Sequence, residues 1–540
     1  MTRWPTIAAF VLAGCQSDGD SKAPFATPQS ADTATADDPG GGDDSGELGS
    51  SDDTATDCDA CPASTVTAMW SMDTTEWAFD SARTRNNALK GFITSYLWGT
   101  PVTDFPDQME FLYLPMNQLW GPEGDRIDEA LEPLMAAAAE RNHHVVLRVF
   151  VDYPSRPTGL PEHLAETVSC NPYTEHGGGC SPDYDHPDML AAMVGLIEAL
   201  GARYNGDPRL GFVQLGMLGF WGEWHTWPHG DWFPSVDTQN AVLDAYEAAF
   251  PDTFLQARYP STSMTSRSVG YHDDSFAHST LGDIDWFFHP RTVASGAEYR
   301  WHDMPIGGEL RPELQGEVFS DSYVLGEYAQ DMNACIDTTH VSYLLNFYAF
   351  NGDGTGYVGD DRTRAEQAAI RMGYQFELRA ASLRLSGLDG DTVEATVSVE
   401  IEQSGVAPFY YPLFVSVASD SLGTGAVGTT DLSDLLPGVR RTINLPLGRV
   451  AVAGLSEPWT LTLDGPMISA GQRVRLGTAV PGTATDEPTR LQWSPQCTVG
   501  DAAIPVGTPV DASGGECDCR CEVDGAIRDC FGDLCDAATP

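Results

Sequence analysis

The stretch Gly211-Phe-Val-Gln-Leu-Gly-Met-Leu-Gly-Phe-Trp-Gly-Glu-Trp-His225 decides how the chain is read. An apolar strand runs straight into a Gly- and Trp-rich turn that carries a carboxylate and an imidazole. Outward from it, between Thr65 and Tyr374, apolar strand-like runs alternate with helix-like segments, the pattern of an α/β fold with a parallel sheet. The expected strands are Gly91–Leu97, Met109–Leu114, Val145–Val151, Gly211–Leu218, Thr253–Ala257, Val269–Tyr271, Pro305–Gly308 and Val341–Tyr348. Helices are expected over Ile127–Arg141 and Pro187–Tyr204, where apolar residues recur three and four apart. Eight strands interleaved with helices fit a (β/α)8 TIM-type barrel with enlarged loops. The competing doubly wound sheet usually shows a Gly-rich phosphate turn after its first strand, and none is present.

Beyond Gly373 the period changes. Val393, Ala395, Val397, Val399 and Ile401 alternate with polar residues, as in a half-buried antiparallel strand. Further runs at Leu413–Val417, Thr442–Leu447, Trp459–Leu463 and Arg473–Leu476 complete an expected β-sandwich. The expected organisation is a signal peptide over 1–15, an acidic tether over 16–62, the barrel over 63–374, the sandwich over 375–494 and a loose Cys-rich tail over 495–540.

Composition narrows the function. Against 29 Lys and Arg stand 78 Asp and Glu, a net charge of −49. Such a chain repels a phosphate backbone, so no nucleic-acid partner is expected. No stretch approaches the roughly eighteen apolar residues of a spanning helix, so a membrane would be met only through a lipid anchor. Arg3, the apolar run Ile7–Leu12 and the Leu12-Ala-Gly-Cys15 tetrapeptide resemble a bacterial lipobox, with Cys15 as the lipidated residue. An ordinary secretory signal with an incidental cysteine is the alternative. Residues 16–57 hold hardly an aromatic and are expected to act as a disordered tether, placing the protein in the cell envelope, at the outer membrane or cell surface. Of the 12 cysteines, Cys170 and Cys180 flank a Gly-rich loop and are expected to form a local disulfide. Setting Cys15 aside leaves an odd number, so one thiol lacks a partner within the monomer. The cluster Cys517, Cys519, Cys521, Cys530 and Cys535 is expected to form disulfides rather than a zinc site.

Barrel enzymes build their sites where the strand-to-helix loops converge, which puts Glu223 at the centre. A carboxyl packed between Trp221 and Trp224 loses solvation, which suits it to proton donation. A second carboxylate, Glu309, follows Gly307-Gly308 at the end of the seventh strand; a structural ion pair with Arg258 or Arg311 is its alternative role. Asn117, Asp152, Arg258, His272, Asp273 and Asp274 fall at other strand ends, and Trp301 and His302 precede the seventh strand. A metal held by His272, Asp273, Asp274 and His302 is the weaker reading of those residues, and no cofactor is expected. Asn351–Gly354 and Asp389–Asp391 have the flavour of calcium loops but lack further ligands.

The runs Asn87–Phe92, Leu147–Pro154, Ser181–Asp185, Leu215–His225, Gly270–Asp274 and Ile306–Pro312, in this order, resemble the domain-of-unknown-function family DUF 4832 over about Asn87 to Leu491. The resemblance implies a glycoside-hydrolase-type barrel followed by a β-sandwich. In the retaining clan of such barrels an acid/base Glu follows strand four and a nucleophile Glu follows strand seven, which would be Glu223 and Glu309. The chain departs from that clan at Gly222, where an Asn usually binds the sugar 2-hydroxyl. The expected function is therefore glycoside hydrolysis by two carboxylates, with Trp221, Trp224 and Trp301 holding the sugar and His225 and Arg258 orienting the carboxylates. The alternative from another class is a non-catalytic carbohydrate-binding surface protein, which needs aromatic platforms but no carboxylate pair.

Overall fold

The computed structural model describes residues 68–493 except 262, 352–353, 390–391, 452–454 and 456, and the backbone of five strands between Gln496 and Phe531. Cys15, the tether, Cys58 and Cys61 lie outside the described residues, as do Cys517, Cys535 and parts of both Gly-Asp turns.

Eight parallel strands form one sheet in chain order: β1 (Gly91–Ile93), β2 (Met109–Pro115), β3 (His144–Phe150), β4 (Leu210–Gln214), β5 (Leu255–Ala257), β6 (Val269–Phe276), β7 (Ile306–Leu310) and β8 (Tyr343–Leu345). β8 pairs with β1, and a parallel bridge between Thr94 and Glu110, with Phe111 N–H donating to Thr94 O at 2.9 Å, joins β1 to β2. The sheet is a closed barrel. All eight expected strands are present; those at 91–93, 210–214, 255–257 and 343–345 are shorter than their apolar runs, while those at 109–115, 269–276 and 306–310 are longer.

The outer layer is uneven. Pro187–Tyr204 is one helix as expected, but Ile127–Arg141 is two, Ile127–Ala130 and Glu132–Glu140, broken where Pro133 supplies no N–H to the preceding turn. Inside the barrel, Phe212 stacks on Tyr343 at 5.2 Å between ring centres. Gly307 permits this filling, since a Cβ there would stand 2.4 Å from the Tyr343 ring.

The second body is two four-stranded antiparallel sheets. Their strands are β9 (Phe376–Asp389), β10 (Thr392–Gln403), β11 (Phe414–Ser419), β12 (Thr424–Val427), β13 (Arg440–Ala451), β14 (Trp459–Asp464) and β15 (Thr489–Leu491). One sheet runs Ala68–Ser71, β9, β10, β13, and the other β12, β11, β14, β15. The alternating residues of β10 point into the core as expected. Two boundaries differ from the sequence reading. Ala68–Ser71 pairs antiparallel with β9, so the chain starts in the sandwich rather than in the barrel. Arg473–Leu476 is not a strand; only Val474 bridges, to Leu463, while Arg475 exchanges two hydrogen bonds with Asn87.

The sandwich seals the N-terminal end of the barrel. Tyr411 Oη donates to Gly211 O at 2.6 Å, and Tyr410 Oη donates to Trp301 O at 2.7 Å. Lys90, wholly buried at the junction, donates to Ile370 O and Tyr374 O, and burial pulls its pKa down to about 7. The tail is more regular than expected: Gln496–Val499 pairs with Ala502–Pro505, and Pro509–Asp511, Asp518–Cys521 and Ile527–Phe531 form a three-stranded sheet.

Candidate active site

With one barrel end sealed, the open C-terminal end collects the polar side chains. Its floor is a buried layer from alternate strand positions. Arg148 on β3 donates Nε–H to Gln214 Oε1 at 2.8 Å, and Gln214 Nε2 donates to Tyr343 Oη at 3.0 Å. Tyr343 Oη in turn donates to Gln256 Oε1 on β5. Above this floor Arg148 Nη2 donates to Asp274 Oδ2 at 2.7 Å. Asp274 Oδ1 lies 2.9 Å from His272 Nδ1, and Arg148 Nη2 lies 3.1 Å from the same nitrogen. Burial pulls His272 down to about 4, whereas Asp274, though equally buried, is held well below the usual carboxylate range by Arg148 and His272.

Glu223 enters from the loop after β4. That loop is bound tightly: Trp221 N–H donates to Asp152 O at 2.8 Å, Glu223 N–H to Phe220 O at 2.9 Å and Phe220 N–H to His225 O at 2.8 Å. Met217, Trp221 and Trp224 all have positive φ, 68°, 54° and 59°. For residues with a Cβ this costs roughly 1–2 kcal/mol each, and such strain persists where the surroundings over-determine the backbone, as they do here. Gly222 shares the conformation at φ 65°, and a Cβ there would approach Gly216 Cα to 3.2 Å. The turn that presents Glu223 therefore leaves little space for a side chain where the clan has its Asn.

The Glu223 carboxylate faces three cationic or imidazole groups. Arg148 Nη1 lies 3.6 Å from Oε1, while Arg258 Nε and His225 Nε2 lie 3.6 and 3.7 Å from Oε2. Glu309, half-buried at the end of β7, makes no hydrogen bond or ion pair among the described residues. Burial and the charges of Asp274 and Glu223 push its pKa well above the ordinary range, outweighing Arg148 and Arg311. Glu223 is thus the ion-paired carboxyl, and the guanidinium expected beside Glu309 stands beside Glu223 instead.

Arg258 is 6% exposed and its ion pairs are long, 3.6 Å to Glu223, 3.8 Å to Asp273 and 3.6 Å to Asp274. Among the described residues it donates no hydrogen bond, and its Nε is fully enclosed. Asp273, pushed by burial up to about 6, is tied to Thr280 Oγ1 at 2.7 Å.

Solved structures similar to the chain include endo-glycoceramidase II from Rhodococcus sp. at 13% identity, over 67% of this chain and 96% of that one, with a TM-score of 0.33. Xylanase 10B from Thermotoga maritima matches at 11% identity over 54% and 99%, TM-score 0.33, and an alpha-amylase from Geobacillus thermoleovorans at 10% over 62% and 88%, TM-score 0.26. No family model matches the chain, and no curated protein does. The barrel rests on its own strand order, and the site on its own side chains.

Other expected residues are placed differently. Trp224 is not a platform: it is buried in the barrel's outer core and its indole N–H donates to Leu215 O at 2.7 Å. Trp301 sits at the sealed end, stacked on His340 at 3.5 Å, and His302 packs beside it. The proposed His272–His302 metal set is therefore split between the two ends of the barrel. Asn117 braces a loop through Thr158 O at 2.9 Å, and Asp152 accepts from Tyr173 Oη at 2.6 Å, its pKa raised by burial to about 6. Cys170 and Cys180 are disulfide-bonded as expected. Their hairpin carries His176, whose ring lies 5.0 Å from Trp221 and 6.4 Å from Trp227 over the site. Sequence reasoning missed Arg148, although it stands as the one charged residue in the apolar run of β3; an Arg pointing into a closed barrel was the available signal.

Proposed function

We propose that this protein hydrolyses glycosidic bonds at the open end of its barrel, with Glu309 as general acid and Glu223 as nucleophile. The observation that carries the reading is the difference in their surroundings: Glu309 has no ion-pair partner among the described residues and its pKa is pushed up, whereas Glu223 is ion-paired to Arg148 and Arg258. Cleavage through an oxocarbenium-like state needs a proton for the leaving oxygen and an anionic carboxylate at the anomeric carbon. Glu309 delivers the proton, Glu223 forms the glycosyl ester with retention, and Glu309, now ionised, deprotonates the incoming water. Arg258, beside Glu223, supplies from its guanidinium the hydrogen bond to a sugar hydroxyl that the clan takes from the absent Asn. Trp221 and His176 wall the site.

The test is hydrolysis of a panel of polysaccharides and aryl glycosides by the purified protein. Glu309→Gln should lower kcat by about 10²–10⁴-fold, with Glu223→Gln at least as severe. Full activity of Glu309→Gln on every cleaved substrate rules out this assignment. A second reading, glycan binding without catalysis, is favoured by the three neighbours that hold Glu223 and by the loss of the clan's Asn at Gly222. It gains if the wild type binds glycans and cuts none.

The Leu12–Cys15 motif and the acidic stretch after it support placement as a lipid-anchored envelope protein. Cys15→Ser should then shift the protein from the membrane fraction to the soluble one; unchanged fractionation refutes the anchor.

A further inference from the structure

The loops after β6 and β7 carry a group of rings that neither the carboxylates nor their arginines use. Trp286 is 54% exposed and Tyr328 40%, and the two are stacked, 24° between planes and 6.4 Å between centres. Phe287 supports Tyr328 from below at 5.6 Å, and His278 lies 4.9 Å from the Tyr328 ring. Large rings left open to water in near-parallel planes lose apolar hydration only when something flat covers them.

The position of this ledge says what covers it. His278 N–H donates to Ser275 O at 3.0 Å, and Arg311, two residues beyond Glu309, donates from Nη1 to Ser275 Oγ at 3.4 Å and from its N–H to Phe276 O at 3.1 Å. From Glu309 the chain of neighbours thus runs through Arg311 and His278 to Tyr328 and Trp286, on the same barrel end. A second exposed ring, Trp227, 58% exposed, stands on the loop after β4 beside His176. Aromatic faces therefore lie on both the β4 side and the β6–β7 side of the carboxylates. The charge of the rim is equally informative. Asp283, Asp285, Glu327 and Asp331 are exposed beside Trp286 and Tyr328, in a chain of net charge −49. Carboxylates accept hydrogen bonds from hydroxyls and repel anions.

We propose that the Trp286–Tyr328 ledge is a distal subsite that stacks a ring of a neutral polysaccharide whose chain continues through the carboxylate cleft toward Trp227. The inference rests on the glycan reading of the cleft but does not require bond cleavage. It implies recognition of several residues of a polymer rather than of a terminal sugar, and it excludes uronate-rich and sulfated chains.

The test is affinity electrophoresis of the full chain in gels containing soluble xylan, mixed-linkage β-glucan, galactomannan, polygalacturonate or chondroitin sulfate. Glu309→Gln protein is run alongside to remove turnover. At least one neutral polymer should retard the protein, and neither anionic one should. Trp286→Ala and Tyr328→Ala, both at exposed positions, should each weaken that retardation by about tenfold, the scale of one stacked ring. Retardation of Trp286→Ala and Tyr328→Ala equal to wild type overturns the proposal, as does retardation by an anionic polymer or by none of the five. If the wild type is retarded through the ledge yet hydrolyses nothing, the subsite stands and the hydrolase reading falls.

Discussion

Glu309 stands on β7 and Glu223 on the loop after β4, and the charge of Glu223 pushes the pKa of Glu309 up. The two carboxyls are linked in one direction that can be measured. Arg148 and Arg258 pair with Glu223, while burial, Asp274 and Glu223 push up the pKa of Glu309, which has no cation paired to it among the described residues. Two carboxyls of the same chemical type are thereby given different surroundings.

Removing the Glu223 charge should lower the Glu309 pKa. The sign follows because a neighbouring anion disfavours ionisation, and its loss makes ionisation easier. Infrared difference spectra across a pH titration should show the protonated carbonyl band of Glu309 disappearing at lower pH in Glu223→Gln than in wild type. Glu309→Gln assigns the band by abolishing it. A band that vanishes at the same or higher pH in Glu223→Gln contradicts the coupling.

Arg148→Met should destabilise the fold by about 3–5 kcal/mol, because it strands buried Asp274 without its strongest counter-charge. Denaturant unfolding measures this. Double replacement Arg148→Met with Asp274→Asn should recover part of the loss, whereas additive losses would mean that the two side chains do not act as a pair.

Gly307→Ala should cost about 1–3 kcal/mol through overpacking, since its methyl would press on the Tyr343 ring. Gly307→Ala combined with Tyr343→Phe should relieve little of this, because the ring carbons as well as the hydroxyl occupy the space. Thermal unfolding of the two variants decides it.

The disulfide closes a loop of sequence separation 10 that holds His176 over the site. Replacing both Cys170 and Cys180 by Ser should lower stability by about 2–4 kcal/mol. It should also raise KM more than it lowers kcat, because the hairpin positions a wall of the cleft and carries neither carboxylate. A selective loss of kcat would give the hairpin a chemical role.

The barrel was legible because its signal is one-dimensional: eight apolar runs at helix-spaced intervals permit few other folds. Glu223 was legible for a related reason, since a strand ending in Gly and Trp around one acid stands out from its neighbours. Roles were not legible. Which carboxyl meets Arg258 depends on how strands four to seven are angled around the barrel, and no local pattern encodes that. Trp224 and Trp301 misled because an indole reads alike whether it covers a core or faces a sugar. Trp224 turned inward through a positive φ, and Trp301 fell at the sealed end because it precedes its strand. Arg148 was hidden by its company: six of the seven residues of β3 other than it gave the strand its buried character.

The pairing of Ala68–Ser71 with β9 bears on how the molecule comes into being. Ala68 lies opposite Leu385, so a contact in the sandwich spans the whole length of the barrel. Such distant closure is entropically costly and slow. During synthesis the first described strand emerges long before its partner exists, and it waits, unpaired, while all eight barrel strands are made. Tyr410 and Tyr411, which cover the barrel's N-terminal end, are likewise made only after all eight barrel strands. The first strand of the sandwich and the cover of the barrel therefore both wait on the same later half of the chain.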